Sequence, residues 1–378
     1  MIADALFLGL EYEQIVILTV GSLVGASCAL VGSFLVVRQT AMLGDAISHS
    51  VLPGIVVMFL ITGTLSSFYM VAGAAVFGVL TVFLVGLLNR TGLLHEDASI
   101  GVVFPALFSL GVILVTRYTA GVHLDESCVL YGEIEFVALD DWLVGSRSLG
   151  PRAVWITGAI LLANLVLVCT FFKELKVTSF DPDLAASLGI SPVLLHYLLM
   201  ITVSVTAVGS FESVGAILVV AMFIVPPATA YLLTDRLNVL LLLAVVIGVA
   251  SAWVGYFFSR AFDCSVAGSM AAAAGVFFML AFLFSPQHGL LGRWLIRRVL
   301  ARRFHEQLIL LHVQSGTGRT SLDSLAARFN WRSGRVVAIV DRLVTAGLVE
   351  KGAGGVRLTV KGKTAIEESG TLPLVHVD

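Results

Sequence analysis

The sequence predicts an all-α polytopic membrane protein with eight or nine transmembrane helices and a small α+β domain at its C-terminal end. Three observations carry this. Of 378 residues, 58% are apolar and only 13% are charged, whereas an ordinary soluble domain carries about 25% charged residues. The apolar residues gather in runs of the length that crosses a bilayer as a helix, about 20 residues. The charge also changes sign near residue 286. Residues 1–285 hold 9 Lys+Arg and 18 Asp+Glu, residues 286–301 hold three Arg and no acid, and residues 302–378 hold 11 Lys+Arg and 7 Asp+Glu. With a mean hydropathy of +0.99, a soluble enzyme, a disordered chain and a DNA-coating protein are excluded as the main identity.

The runs are Ile15–Val37, Ala41–Gly63, Tyr69–Leu88, Ala98–Val115, Ala153–Phe172, Pro192–Gly209, Val214–Leu233, Val239–Phe258 and Ala267–Phe284. They are continuous, so they read as helices; barrel strands would alternate. The sixth run is short and is followed by a break at Ser210–Ser213, which keeps a count of eight open. Pro226–Pro227 should kink or interrupt the seventh. No cleavable signal peptide is expected, because the first fourteen residues carry Asp4, Glu11 and Glu13 and no Lys or Arg. Cys28, Cys128, Cys169 and Cys264 are scattered without paired spacing, so neither a disulfide framework nor a zinc knuckle is indicated.

Basic residues set the orientation. Arg38, Arg90, Lys173, Lys176, Arg236 and the Arg293, Arg297, Arg298 cluster fall in alternate gaps, which places those gaps and the C-terminal domain in the cytoplasm. Nine spans then put the N-terminus outside. The Arg117–Arg152 loop is external and holds His123, Asp125, Glu126, Glu133, Glu135, Asp140 and Asp141. It is either an acidic vestibule that concentrates cations or a solvated loop with no role.

Ionisable groups inside a span are costly and mark a functional path by default. Asp45 and His49 in GDAISHSVLPG are four apart, so a helix puts them on one face. A carboxylate oxygen and an imidazole nitrogen suit Mn²⁺, Zn²⁺ or Fe²⁺, and Ser48 and Ser50 could add hydroxyl contacts. The pair fits equally a neutral hydrogen-bonded couple that fastens two helices. As a metal site it is incomplete, so another segment or a second copy must contribute. Glu212, in SFESVG, sits either at an outer gate or at a solvated helix end, the latter being the simpler reading. His196 reads as a structural histidine.

Several motifs occur together and in order: RQTAMLGDAISHSVLPGI (Arg38–Ile55), EDASIGVVFPALFSLGVIL (Glu96–Leu114), SFDPDLAASLGI (Ser179–Ile190), VGAILVVAMFIVPPATAYLLTDR (Val214–Arg236) and LAFLFSPQHGLL (Leu280–Leu291). Over residues 12–291 the chain resembles the permease subunit of bacterial zinc/manganese/iron ABC importers. The resemblance implies a permease dimer, of identical chains or of two paralogues, around one central pathway in the cytoplasmic membrane. It also implies a separate ATPase on the cytoplasmic face and an extracytoplasmic protein that delivers the metal. Asp45 and His49 would coordinate the passing Mn²⁺, Zn²⁺ or Fe²⁺; on the residue reading above, Ser48 and Glu212 are accessory candidates in the pathway. No permanently bound cofactor is implied. Asp181–Gly189 would be the coupling loop that docks on the ATPase, through Asp181, Pro182, Asp183, Leu184, Ala185, Leu188 and Gly189. The residue types agree: Asp181 suits an N-cap, Pro182 the first helical position and Gly189 the stop.

The chain itself is not read as an enzyme. Gly362-Lys363-Thr364 mimics the end of a phosphate-binding loop, but Arg357 stands where the first Gly is needed.

The tail has its own pattern: a helix at Phe304–Gln314, another at Ser321–Phe329 opened by Ser-Leu-Asp-Ser, a third at Ser333–Ala346 stopped by Gly347, then Leu348–Lys351, Gly352–Gly355 and Val356–Val360 as a two-stranded wing. This order resembles the winged-helix part of diphtheria-toxin-repressor-type metal-dependent regulators. The expected division is a permease domain (1–291), a basic juxtamembrane linker facing anionic lipid (292–303), a cytoplasmic winged-helix domain (304–370) and a short tail (371–378). Arg328, Arg332 and Arg335 lie around the start of the third helix, where nucleic-acid contacts would be made. The net charge of this tail is a modest +4, and no dense set of metal ligands accompanies it, which favours docking or regulation over DNA contact. Two readings compete with the importer: a membrane-anchored metal-responsive transcriptional regulator, and a proton-coupled transporter or channel that needs no ATPase.

Overall fold

The computed structural model describes residues 11–63, 67–118, 134–144, 147–285, 289–315, 320–352 and 355–369. It separates into two compact units, Met1–Gly289 and Leu290–Asp378. In the first, the helices are α1 (Tyr12–Val37), α2 (Ala41–Thr62), α3 (Ser67–Arg90), α4 (Glu96–Tyr118), α5 (Arg152–Thr170), α6 (Phe172–Phe180), α7 (Pro182–Ser187), α8 (Pro192–Val214), α9 (Ala216–Leu233), α10 (Leu237–Phe262) and α11 (Val266–Phe284). All but α6 and α7 contain stretches long and apolar enough to cross a membrane, giving nine such helices among the described residues.

Helix α1 is the centre of this unit. It is apolar on every face, and a helix of that kind belongs inside a bundle; it packs against α10, α9, α5 and α8. In lipid there is little hydrophobic drive between helices, so close backbone approach through small residues supplies the packing. A Cβ placed on Gly25 would lie 2.8 Å from the Gly248 carbonyl oxygen of α10, and one on Gly54 of α2 would collide with the Gly73 carbonyl of α3. Buried polar pairs add directional contacts: Asn164 Nδ2 of α5 donates to Thr206 Oγ1 of α8 at 2.9 Å.

One expectation about the spans is corrected and another is narrowed. The segment Ser210–Ser213 is not a break, because α8 runs through it to Val214. Ser210 and Ser213 are buried, and the chain turns only at Gly215, whose φ of +79° suits a residue without a Cβ. Of the kink or interruption expected at Pro226–Pro227, the interruption is excluded: α9 continues across both, and both are buried. In the Arg117–Arg152 loop, His123, Asp125, Glu126 and Glu133 lie outside the described residues. The C-terminal part of the loop is more ordered than a solvated loop: it holds a 3₁₀ turn (Val137–Leu139) and a hairpin of β1 (Asp141–Val144) and β2 (Arg147–Pro151), paired antiparallel.

The second unit begins with α12 (Leu290–Ser315), so residues 292–303, expected as a linker, are helical. It continues with α13 (Leu322–Phe329), α14 (Ser333–Thr345), an antiparallel pair β3 (Val349–Gly352) and β4 (Gly355–Leu358), and α15 (Val360–Ser369). Its own core gathers Ile309, Leu310, Val313, Leu325, Val340 and Leu343, with Val349 and Val356 from the strands. Ser321 caps α13, its Oγ accepting from the Ser324 N–H, and Asn330 and Gly347 end their helices in the left-handed region. Gly362-Lys363-Thr364 lies within α15, not in the strand–loop–helix setting that cradles phosphate.

Candidate functional site

Helix α2 carries the candidate pair. It follows α1 after a three-residue turn in which Gln39 is left-handed (φ +59°) and the Thr40 N–H returns to the Leu35 carbonyl. Asp45 and His49 then fall on adjacent turns, with His49 Nε2 3.5 Å from Asp45 Oδ1. The two side chains are 41% and 34% exposed on the surface of this single chain. Helix α4 walls the imidazole: its ring centroid is 5.5 Å from that of Phe104 and 6.3 Å from that of Phe108, the latter edge-on. Four residues beyond His49, Pro53 has no N–H to offer the His49 carbonyl. That leaves a backbone oxygen without its helical donor beside the pair.

The remaining polar residues of α2 are engaged elsewhere. Ser48 is buried and donates to the Gly44 carbonyl at 2.8 Å. Ser50 is buried on the α3 side, where Thr81 Oγ1 donates to Ser50 Oγ at 2.6 Å. One face of α2 is thus pinned to α3 while the face with Asp45 and His49 stays open. Among the described residues no cluster of three or more His, Cys, Asp or Glu forms.

Glu212 is placed apart from them. It lies exposed near the end of α8 and lines a pocket of about 150 Å³ with Phe136, Asp140, Arg152 and Ile156. His196, near the start of α8, sits edge-on to Tyr197 and within electrostatic reach of Arg38.

Asp181–Gly189 forms a short capped helix. The Asp181 carboxylate accepts from the Leu184 N–H at 2.9 Å, Pro182 opens α7, and Gly189 follows it at φ +80°. Ala185 is buried against the bundle, while Leu184 and Leu188 are 49% and 63% exposed. An apolar surface on a helix at a membrane-protein end is suited to a protein partner. In the second unit, Arg328, Arg332 and Arg335 are all exposed.

Two features are not evident from sequence alone. Phe104 and Phe108 sit in the quoted EDASIGVVFPALFSL motif at helical spacing, but nothing in one sequence says that they face His49. Arg38, by its position in the sequence, marks only topology. In the structure its Nε donates to Ser179 Oγ at 2.9 Å and its Nη2 to Thr178 Oγ1 at 3.0 Å, and burial lowers its pKa from the ordinary guanidinium value.

Comparison with known proteins places these features in a family. The model of the ABC 3 transport family matches residues 11–285. The manganese transport system membrane protein MntD of Bacillus subtilis (strain 168) is 52% identical over 284 residues, covering 75% of this chain and 96% of its own length. The zinc transport system membrane protein TroD of Treponema pallidum (strain Nichols) is 42% identical over 354 residues, covering 92% of this chain and 96% of its own. Among solved structures, PsaBC from Streptococcus pneumoniae in complex with Fab superposes with a TM-score of 0.64 at 31% identity, covering 79% of this chain and all of that one.

Proposed function

The chain belongs to the ABC 3 transport family, and from that premise we propose that it is the permease subunit of an ATP-driven importer of a divalent transition metal ion. The relatives are named for manganese and zinc, and a carboxylate with an imidazole suits Mn²⁺, Zn²⁺ and Fe²⁺ alike. The observation that carries the reading is the openness of Asp45 and His49 on a helix with no other ionisable side chain. A carboxylate and an imidazole at that position cannot face acyl chains cheaply. They need a second permease copy and a water-filled path between the copies, in which a passing ion takes ligands from both chains. The Phe104–Phe108 wall limits the rotation of the His49 ring, and the His49 carbonyl supplies a further polar atom to the path.

Helix α7 is the docking element for a separate ATPase subunit, its exposed Leu184 and Leu188 filling an apolar cleft there. The permease itself hydrolyses nothing. An extracytoplasmic binding protein delivers the ion at the opposite end of the bundle, near Glu212. The second unit is a cytoplasmic winged-helix domain with a docking or regulatory role. Its helix–helix–helix–ribbon order supports this.

The test is uptake by the permease reconstituted in vesicles with its ATPase and binding protein, measured separately for Mn²⁺, Zn²⁺ and Fe²⁺. ATP-dependent accumulation of at least one of them is expected. Accumulation of none, or uptake indifferent to ATP, overturns the proposal.

A further inference from the structure

We infer that Arg38 is a positioning residue that couples movement of α7 to the turn carrying Asp45 and His49. The inference rests on the reading of α7 as the ATPase-docking helix and of Asp45–His49 as the metal pair. It adds the physical connection between them.

Arg38 ends α1, its N–H returning to the Phe34 carbonyl. Only Gln39 and Thr40 separate it from α2, and both are held by backbone hydrogen bonds to α1, at 3.0 Å to Val36 and 2.9 Å to Leu35. The Thr40 carbonyl in turn accepts from the Leu43 N–H at 3.0 Å, so the turn is tied to α1 on one side and to the first turn of α2 on the other. On the other side, Thr178 and Ser179 lie in the last turn of α6, which ends at Phe180 next to Asp181, whose own N–H bonds the Val177 carbonyl at 2.8 Å. No free linker intervenes between α6 and the capped α7. The guanidinium bridges these two rigid pieces across about 140 residues of sequence.

The chemistry suits a fork. The hydroxyl protons of Thr178 and Ser179 are committed to α6 carbonyls, Thr178 to Glu174 at 2.8 Å and Ser179 to Leu175 at 2.6 Å. Their lone pairs are left to accept, and two N–H groups of one planar guanidinium reach both. An ammonium is a point donor and lacks this shape. Among the described residues no carboxylate forms a salt bridge with Arg38. Both acceptors are neutral, so the fork can be released and remade without stranding a bare negative charge. Charged donors make the stronger class of hydrogen bond, which lets the bridge transmit a pull from α7.

The experiment uses the full transport complex in liposomes and measures Mn²⁺ transported, ATP hydrolysed and Mn²⁺ bound by the permease in the same preparations. The variants are Arg38→Ala, Arg38→Lys and the double change Thr178→Val with Ser179→Ala, which keeps Arg38 and removes only its acceptors. Assembly and Mn²⁺ binding are expected to stay as in the parent, while Mn²⁺ moved per ATP falls about tenfold in Arg38→Ala and in the double variant. Arg38→Lys should not restore it. An unchanged ratio in both Arg38→Ala and the double variant overturns the inference. So does a loss of assembly or binding in both, which would make Arg38 a structural weld. An Asp45→Ala, His49→Ala control separates the two readings: if it binds and carries Mn²⁺ normally, the metal-pair reading fails, whereas the transport-to-ATP ratio still reports on Arg38.

Discussion

His49 Nε2 stands 3.5 Å from Asp45 Oδ1 across one turn of α2, with both side chains partly open on the helix surface. That separation is too long for a strong hydrogen bond and leaves both groups with capacity for an ion. Because neither side chain is sealed in the core, truncation should cost the fold little, within about 0.5 kcal/mol for such surface positions. Asp45→Ala and His49→Ala are each expected to lower metal uptake by about a hundredfold or more, with dimer and ATPase assembly intact. Normal uptake in either variant would remove the site.

Ser48 is expected to matter far less. Its hydroxyl is turned back onto the Gly44 carbonyl, so Ser48→Ala should leave uptake near the parent level. Loss of uptake comparable to Asp45→Ala would show that the hydroxyl reaches the ion.

The Ser50–Thr81 hydrogen bond fixes α2 to α3 from behind the pair. Thr81→Val removes the donor and leaves Ser50 buried, a cost of about 1 kcal/mol. The expected readout is a lower unfolding temperature of the detergent-solubilised permease with metal selectivity unchanged.

Leu184 and Leu188 are open while Ala185 of the same short helix is buried. Leu184→Asp or Leu188→Asp should therefore leave the permease folded and able to bind metal, and should abolish copurification with the ATPase. Asp181→Ala removes the cap on α7, worth about 1 kcal/mol, and should weaken that association in part. Undiminished copurification of both Leu variants would move the docking surface elsewhere.

The two units have separate cores. Val340 is fully buried in the second, and Val340→Asp places an unpaired charge there, a cost of several kcal/mol. Limited proteolysis should then remove the C-terminal unit while the first unit keeps its melting temperature. A matching fall in the melting of both would mean that they fold as one.

The spans are readable in the sequence because each is a run of apolar residues whose backbone must satisfy itself as a helix in lipid. The small capped helix at Asp181–Gly189 is readable for a local reason too: Asp, Pro and Gly each report the backbone geometry of their own position. The same local reasoning misplaces the end of α8. Polar SFES looks like a break, yet burial of Ser210 and Ser213 against neighbouring helices carries the helix on to Gly215. The hairpin at Asp141–Pro151 escapes that reasoning because those residues lack the strong alternation that marks a strand.

By itself, then, the sequence determined where most of the apolar helices lie, with their count left at eight or nine, the change of character near residue 286, and the placing of Asp45 and His49 on one face of α2. Each of these depends on neighbours along the chain. Only the tertiary structure decided which face of α2 is pinned to α3 and which stays open, that Phe104 and Phe108 of α4 stand against His49, and that Arg38 reaches Thr178 and Ser179. Those relations depend on how helices separated in sequence settle against one another. The shape of the packed bundle fixes that arrangement, and no local periodicity records it.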